Sequence, residues 1–206
     1  MMNRPYFIVI EGLDGSGKTT QIELLRDYFQ ARGEAVHVTH EPTDLPTGRL
    51  IRRVLRKEIA MDPRTLAALF AADRIEHLFH PQAGILEKLA GGYHVIASRY
   101  YFSSLAYQSE YMDPAYVASL NRLAKSTLPA DLTVFLDLEP GESMQRIARR
   151  REDTELFETE EKLLHVRESF RAAFAAYGAD ENIRTVDAAR EKGDVHEAIV
   201  SLVERI

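Results

Sequence analysis

The chain has no cysteine among its 206 residues, which excludes disulfide scaffolds, zinc ribbons and thiol nucleophiles. Its apolar runs are short. The first, Tyr6 to Ile10, ends at Glu11, too soon for a signal peptide or a membrane span. No H-E-x-x-H is present, and the seven histidines, with His77 and His80 three apart, form no metal box and read as surface residues. An Asn-Lys-x-Asp signature is missing too, which counts against a GTPase switch. Repeats, low-complexity tracts and linkers are absent, so one domain over residues 1–206 is expected. A net charge of −6, from 26 basic and 32 acidic residues, argues against coating a nucleic-acid polymer. A soluble, cytoplasmic protein without membrane contact fits these absences.

What the chain does have is Gly12-Leu13-Asp14-Gly15-Ser16-Gly17-Lys18-Thr19. This fits G-x-x-x-x-G-K-[ST] and stands between the strand-like run Tyr6 to Ile10 and a helical pattern from Thr20 to Arg32. Glycines let successive N–H groups turn inward around an anion, and the following helix N-terminus adds positive potential. A nucleoside triphosphate held by Gly12 to Thr20 is expected. Lys18 would reach its β- and γ-phosphates, and the Thr19 hydroxyl would help hold Mg²⁺.

Further along, Ala35 to Thr39 reads as a strand and Glu41 to Gly48 as a loop, because it holds two prolines. Helices are predicted over Leu50–Lys57 and Pro63–Phe79, with a break near His80-Pro81 and a further piece to Leu89. Strands are predicted over Tyr93–Ala97, Leu132–Asp137 and Arg184–Val186. Ser103–Ser109, Pro114–Ser126, Glu142–Arg151, Glu160–Tyr177 and Val195–Arg205 read as helices. This alternation predicts an α/β fold with a parallel sheet between helical layers. Basic residues cluster at Arg49, Arg52, Arg53, Arg56 and Lys57, and again at Arg146, Arg149, Arg150 and Arg151.

Several stretches together resemble the thymidylate kinase family nearly end to end. They are Ile10 to Thr20, Glu41-Pro42-Thr43-Asp44 with Gly48 and Arg52, and Leu69-Phe70-Ala71-Ala72-Asp73-Arg74. Arg99-Tyr100 with Ser103 to Gln108 follows, then Pro129 to Thr133 leading into Phe135-Leu136-Asp137. The resemblance implies a three-layer P-loop NTPase fold with strand order 2-3-1-4-5, a homodimer, and transfer of the γ-phosphoryl group of ATP to dTMP with Mg²⁺. The alternatives are a kinase for another pyrimidine nucleoside monophosphate or nucleoside, and a nucleotide-binding homologue with weak turnover.

The residues support that reading in their own right. Phe70 and Arg74 lie four apart on one helical face, and a ring beside a guanidinium can hold a flat base. Taken alone, such a pair more often packs in a core and meets a carboxylate. By resemblance Phe70 stacks on thymine and Arg74 bonds its edge. The family pattern also places Ser104 and Gln108 near the thymine, and Ser103 and Tyr107 beside them, with Tyr107 against the deoxyribose. It implies substrate contacts for Glu41, Pro42 and Arg52, and for Asp14 a bond to the 3′-hydroxyl or a Mg²⁺-bound water. Arg99 is implied to grip the acceptor phosphate. No arginine lies between Gly12 and Lys18, so a lid over about 149–160 is implied to supply the catalytic one, from Arg149, Arg150 or Arg151.

Two positions depart from the family pattern. His40 stands where an arginine is usual, and Ser98 where an aspartate is usual. Arg49 or Arg53 would be the nearby substitutes for the first, and Glu11 or Asp14 for the second.

Overall fold

The computed structural model describes residues 4–150 and 159–206; the side chain of Arg150 and all of Arg151, two of the expected lid arginines, lie outside the described residues. Strand β1 (Phe7–Gly12) lies at the centre of a five-stranded sheet in the order β2-β3-β1-β4-β5. Its partners are β3 (His94–Ser98) and β4 (Leu132–Asp137), and the edges are β2 (Val36–His40) and β5 (Ile183–Asp187). Every pairing is parallel, so all carboxyl ends meet at one rim. The strand order matches the expectation.

Period-two geometry makes β1 the divider between two cores. Phe7 and Val9 face one cluster, packed with Phe102, Phe135 and Phe170. Ile8 and Ile10 face the other, packed with Ile22, Leu25 and Phe29. The second core is covered by α1 (Lys18–Ala31) and α10 (Lys192–Val203). Over the first lie α3 (Pro63–Phe79), α4 (Ile85–Ala90), α5 (Tyr101–Gln108), α6 (Pro114–Leu120), α7 (Arg122–Thr127) and α9 (Glu160–Tyr177). The two remaining helices, α2 (Pro46–Leu55) and α8 (Pro140–Arg150), flank the carboxyl rim.

Three sequence expectations shift. Helix α2 starts at Pro46, not Leu50, because a proline at the first helical position has no N–H to waste and its φ is already helical. Gly48 then passes so close to the preceding loop that a Cβ there would lie 2.0 Å from the Thr43 carbonyl oxygen. The single helix expected over Pro114–Ser126 is two, broken at Asn121, whose Nδ2 donates to the Val117 carbonyl at 2.9 Å. His77 is buried rather than a surface residue, its Nε2 paired with the Thr39 hydroxyl at 2.7 Å.

Gly48→Ala should lower the urea midpoint by an amount equivalent to about 2 kcal/mol or more, because backbone rather than a side chain must give way. A midpoint matching wild type would show that the loop and α2 are not in the contact described.

Candidate active site

The phosphate loop takes its shape from three glycines at positive φ, Gly12, Gly15 and Gly17. A Cβ on Gly12 would lie 2.8 Å from the Leu136 carbonyl of β4, and one on Gly15 would lie 2.8 Å from the Ser143 carbonyl of α8. Leu13 anchors the loop in the core, and the Ser143 hydroxyl donates to the Asp14 carbonyl. Helix α1 opens without an acidic residue in its first turn and without a side-chain cap, which leaves its N-terminal dipole for an outside anion. The Ser16 hydroxyl at this end is buried with no partner.

Lys18 is buried and donates to the Gly12 and Leu13 carbonyls at 3.0 and 2.7 Å. Burial, then the nearby Arg99 charge, pushes its ammonium down to about 7 from the ordinary 10.5, with Asp14 and Glu11 pulling back in part. Thr19 follows at the exposed start of the helix, and Thr20 faces a cleft on the α10 side.

That cleft, about 530 Å³, is bounded by Gly15, Ser16, Gly17 and Thr20, by Arg146 and Arg149 of α8, and by Ala188 to Glu191 before α10 with Lys192 at its start. Arg146 is held by Glu142 at 2.6 Å. Arg149, one of the three expected lid arginines, therefore borders the same cavity as the loop. Arg190 and Lys192 also border it and were not singled out from the sequence, where nothing but their charge marked them.

A second cleft, about 510 Å³, lies across the loop. Of the residues expected to meet the acceptor, Asp14, Glu41, Pro42, Phe70, Arg74, Arg99, Ser103, Ser104, Tyr107 and Gln108 line it. Arg52 does not; its guanidinium holds the preceding loop, donating to the Pro42 carbonyl and the Asp44 carboxylate, each at 2.6 Å. Phe70 is half-buried in the wall rather than packed in the core.

At one end of this cleft Arg74 is 1% exposed. Its Nε donates to Glu41 Oε2 at 2.8 Å, and Nη2 meets the same oxygen at 2.6 Å and the Tyr100 carbonyl at 3.1 Å. Its Nη1 donates to the Ser104 hydroxyl at 3.0 Å and to Asn121 Oδ1. Four hydrogen bonds and the ion pair with Glu41 thus engage every nitrogen of the guanidinium. Burial opposes the charge on Glu41, but Arg74 and His77 hold its carboxyl below the usual carboxylate range.

At the other end, Arg99 has φ 72, a left-handed conformation that a side-chain-bearing residue rarely adopts. Its guanidinium donates to Asp14 Oδ1 at 2.6 Å, the Ser103 hydroxyl at 3.1 Å and the Tyr107 hydroxyl at 3.2 Å. The turn is pinned by Glu11, whose Oε1 accepts from the Tyr100 and Ser103 N–H groups at 2.9 and 3.1 Å. Oε2 accepts from the Ser103 hydroxyl at 2.6 Å. Glu11 is therefore engaged in capping α5. Partial burial opposes the Asp14 charge, but Arg99 and Lys18 hold its carboxyl well below the usual range.

Glu11, Asn121 and His77 are the supports that sequence reasoning undervalued. The signal for Glu11 was a carboxylate closing an apolar strand; for Asn121 it was an Asn inside a helical run, where such residues compete with the backbone.

A parallel sheet of this order, a phosphate loop at its rim and one cleft on each side of that loop define a P-loop kinase that brings two small ligands together. The chain belongs to the thymidylate kinase family, whose model, described as "Thymidylate kinase", matches residues 10–199. It is 40% identical over 207 residues to a protein of Pyrococcus horikoshii named "Probable thymidylate kinase", covering 98% of this chain and 97% of the other. A protein of Thermococcus onnurineus with the same name is 41% identical, covering 96% and 97%, and one of Pyrobaculum calidifontis 39%, covering 97% and 96%.

The depressed Lys18 yields a linkage prediction. At pH 8.5 its amine is mostly neutral in the free protein, and a polyphosphate favours the charged form, so binding takes up about one proton. Calorimetry of a non-hydrolysable ATP analogue in buffers of different ionisation enthalpy should show this uptake. In Lys18→Met it should vanish. A buffer-independent heat for wild type would contradict the assignment.

Proposed function

We propose that the chain transfers the γ-phosphoryl group of ATP to dTMP, with the triphosphate on the α10 side of the loop and the monophosphate in the cleft lined by Phe70. The observation that carries the acceptor is Gln108 Oε1, buried in that wall with no hydrogen-bond partner. An unpartnered buried acceptor calls for a donor from the ligand. Thymine supplies one at N3–H, flanked by two carbonyl acceptors. Cytosine has a lone pair at N3 and would set acceptor against acceptor.

Phe70 offers the stacking face, and Ser104 takes its bond from Arg74 as an acceptor, which leaves its own O–H to donate to a ring carbonyl. Arg99 would hold the acceptor phosphate, and Tyr107, fixed by Arg99 with its ring 5.0 Å from the guanidinium carbon, would crowd a 2′-hydroxyl. In the reaction the bond from the γ-phosphorus to ADP breaks and a bond to an acceptor phosphate oxygen forms. That oxygen is already anionic, so no general base is required. Lys18, the loop N–H groups and a lid arginine, Arg149, Arg150 or Arg151, would offset the charge of the moving group.

The donor set fits Mg²⁺: a lone Thr19 hydroxyl at the exposed start of α1 beside the phosphate cradle, for an ion that takes few protein ligands and keeps phosphate oxygens and water. Bound there, Mg²⁺ would screen the triphosphate charge. The ligands are small molecules rather than a nucleic-acid polymer. No helix among the described residues is long and apolar enough to cross a membrane, and we place the enzyme in the cytoplasm. Ile75 and Phe79 stand 37% and 49% exposed on one face of α3, continued by exposed Ala68 and Ala72. Such a stripe suits a homodimer seam.

ADP release measured with dTMP, dUMP, UMP, dCMP and AMP should favour dTMP and dUMP. Preference for any other acceptor would overturn the substrate reading. Gln108→Leu should lower kcat/KM for dTMP at least tenfold. For the dimer, Ile75→Glu with Phe79→Glu should halve the mass seen by light scattering; an unchanged mass would rule out the α3 seam.

A further inference from the structure

The wall of the Phe70 cleft carries three carboxylates, Asp14, Glu41 and Glu110, and three cations, Arg74, Arg99 and Lys162. Glu41 and Arg74 neutralise each other at 2.6 Å, as do Asp14 and Arg99, also at 2.6 Å. A doubly charged phosphate entering this cleft would meet a wall whose two guanidinium charges are already balanced. Lys162 differs: among the described residues no carboxylate pairs with its ammonium, and its backbone N–H donates to the Thr159 hydroxyl at 3.2 Å. Its side chain is part-buried at the start of α9.

The fold puts that start at the phosphate end. The first turn of α8 lies directly on the loop, through Ser143 against Asp14 and Gly15. The first turn of α9 lies against that of α8, with the Glu160 carboxylate 3.3 Å from the Cβ position of Gly141. Lys162 follows two residues later.

The family pattern has an arginine at the position of His40. The His40 ring is half-exposed and lies 3.8 Å from Asp44. Arg49 donates to the Asp44 carbonyl, and Arg53 is held by Glu58 at 3.2 Å. The substitutes expected from the sequence, both on α2, are therefore engaged with the segments that flank it.

We propose that Lys162 is a substrate-binding residue that supplies positive charge to the acceptor phosphate. The proposal rests on the reading of this cleft as the nucleoside monophosphate site. The ammonium on its four-carbon stem needs no fixed fork, so it can meet the phosphate from α9 rather than from β2.

The test is titration calorimetry of dTMP and of thymidine, which lacks the phosphate, into wild type, Lys162→Met and Lys162→Arg. Lys162→Met should weaken dTMP binding about tenfold and leave thymidine binding as in wild type. Lys162→Arg should recover most of the dTMP affinity. Unchanged dTMP affinity in Lys162→Met, or an equal loss for both ligands, would overturn the assignment. If wild type bound neither thymidine nor dTMP, the acceptor reading itself would fall, and the role of Lys162 with it.

Discussion

Two opposite charges enclosed together, Arg74 and Glu41, fix the geometry on which the acceptor side depends. A lone ion at 1% exposure would cost several kcal/mol, so the guanidinium is tolerated because Glu41 balances its charge and four hydrogen bonds satisfy it. Matching requires four separate segments to arrive in register. Glu41 comes from the end of β2, the Tyr100 carbonyl from the β3–α5 turn, Ser104 from α5 and Asn121 from the α6–α7 junction. The cleft wall is the surface of this polar knot, and Phe70, one helical turn before Arg74, is positioned by the same helix.

On the phosphate side the logic is different, because strain is involved. Arg99 occupies a backbone region that costs a residue of its type about 1–3 kcal/mol. Glu11 holds it there by accepting the N–H groups that open α5. The reward is direction: the guanidinium leaves the sheet rim toward Asp14 and the loop instead of following the strand. Burial raises the carboxyl of Glu11 above its ordinary range, and the hydrogen bonds and Arg99 pull the other way. Backbone shape and carboxylate are therefore held by one another.

Much of this was legible in the chain. The glycine pattern ending in Lys18-Thr19 located the loop, because few other conformations need that spacing. Alternating strands and helices gave the parallel sheet, and the pairing of Phe70 with Arg74 pointed to the right face of α3. What escaped were side chains whose task is to satisfy other side chains. Asn121 looks like an ordinary helical residue until Arg74 is seen beside it. His77 looks like a surface histidine because its partners, Thr39 and Glu41, are more than thirty positions away. The start of α2 is hard to see for a local reason: Pro46 looks like a helix breaker, although at the first turn a proline is a helix initiator.

The contact of Gly12 and Gly15 with neighbouring main chain has a mechanical meaning. With no room for a methyl group on either side, the turn that cradles an anion is stacked directly on β4 and on the first turn of α8. Helix α8 carries Arg146 and Arg149 about one and two turns further along. A side chain at Gly15 would therefore have to push α8, and with it both arginines, away from the cradle.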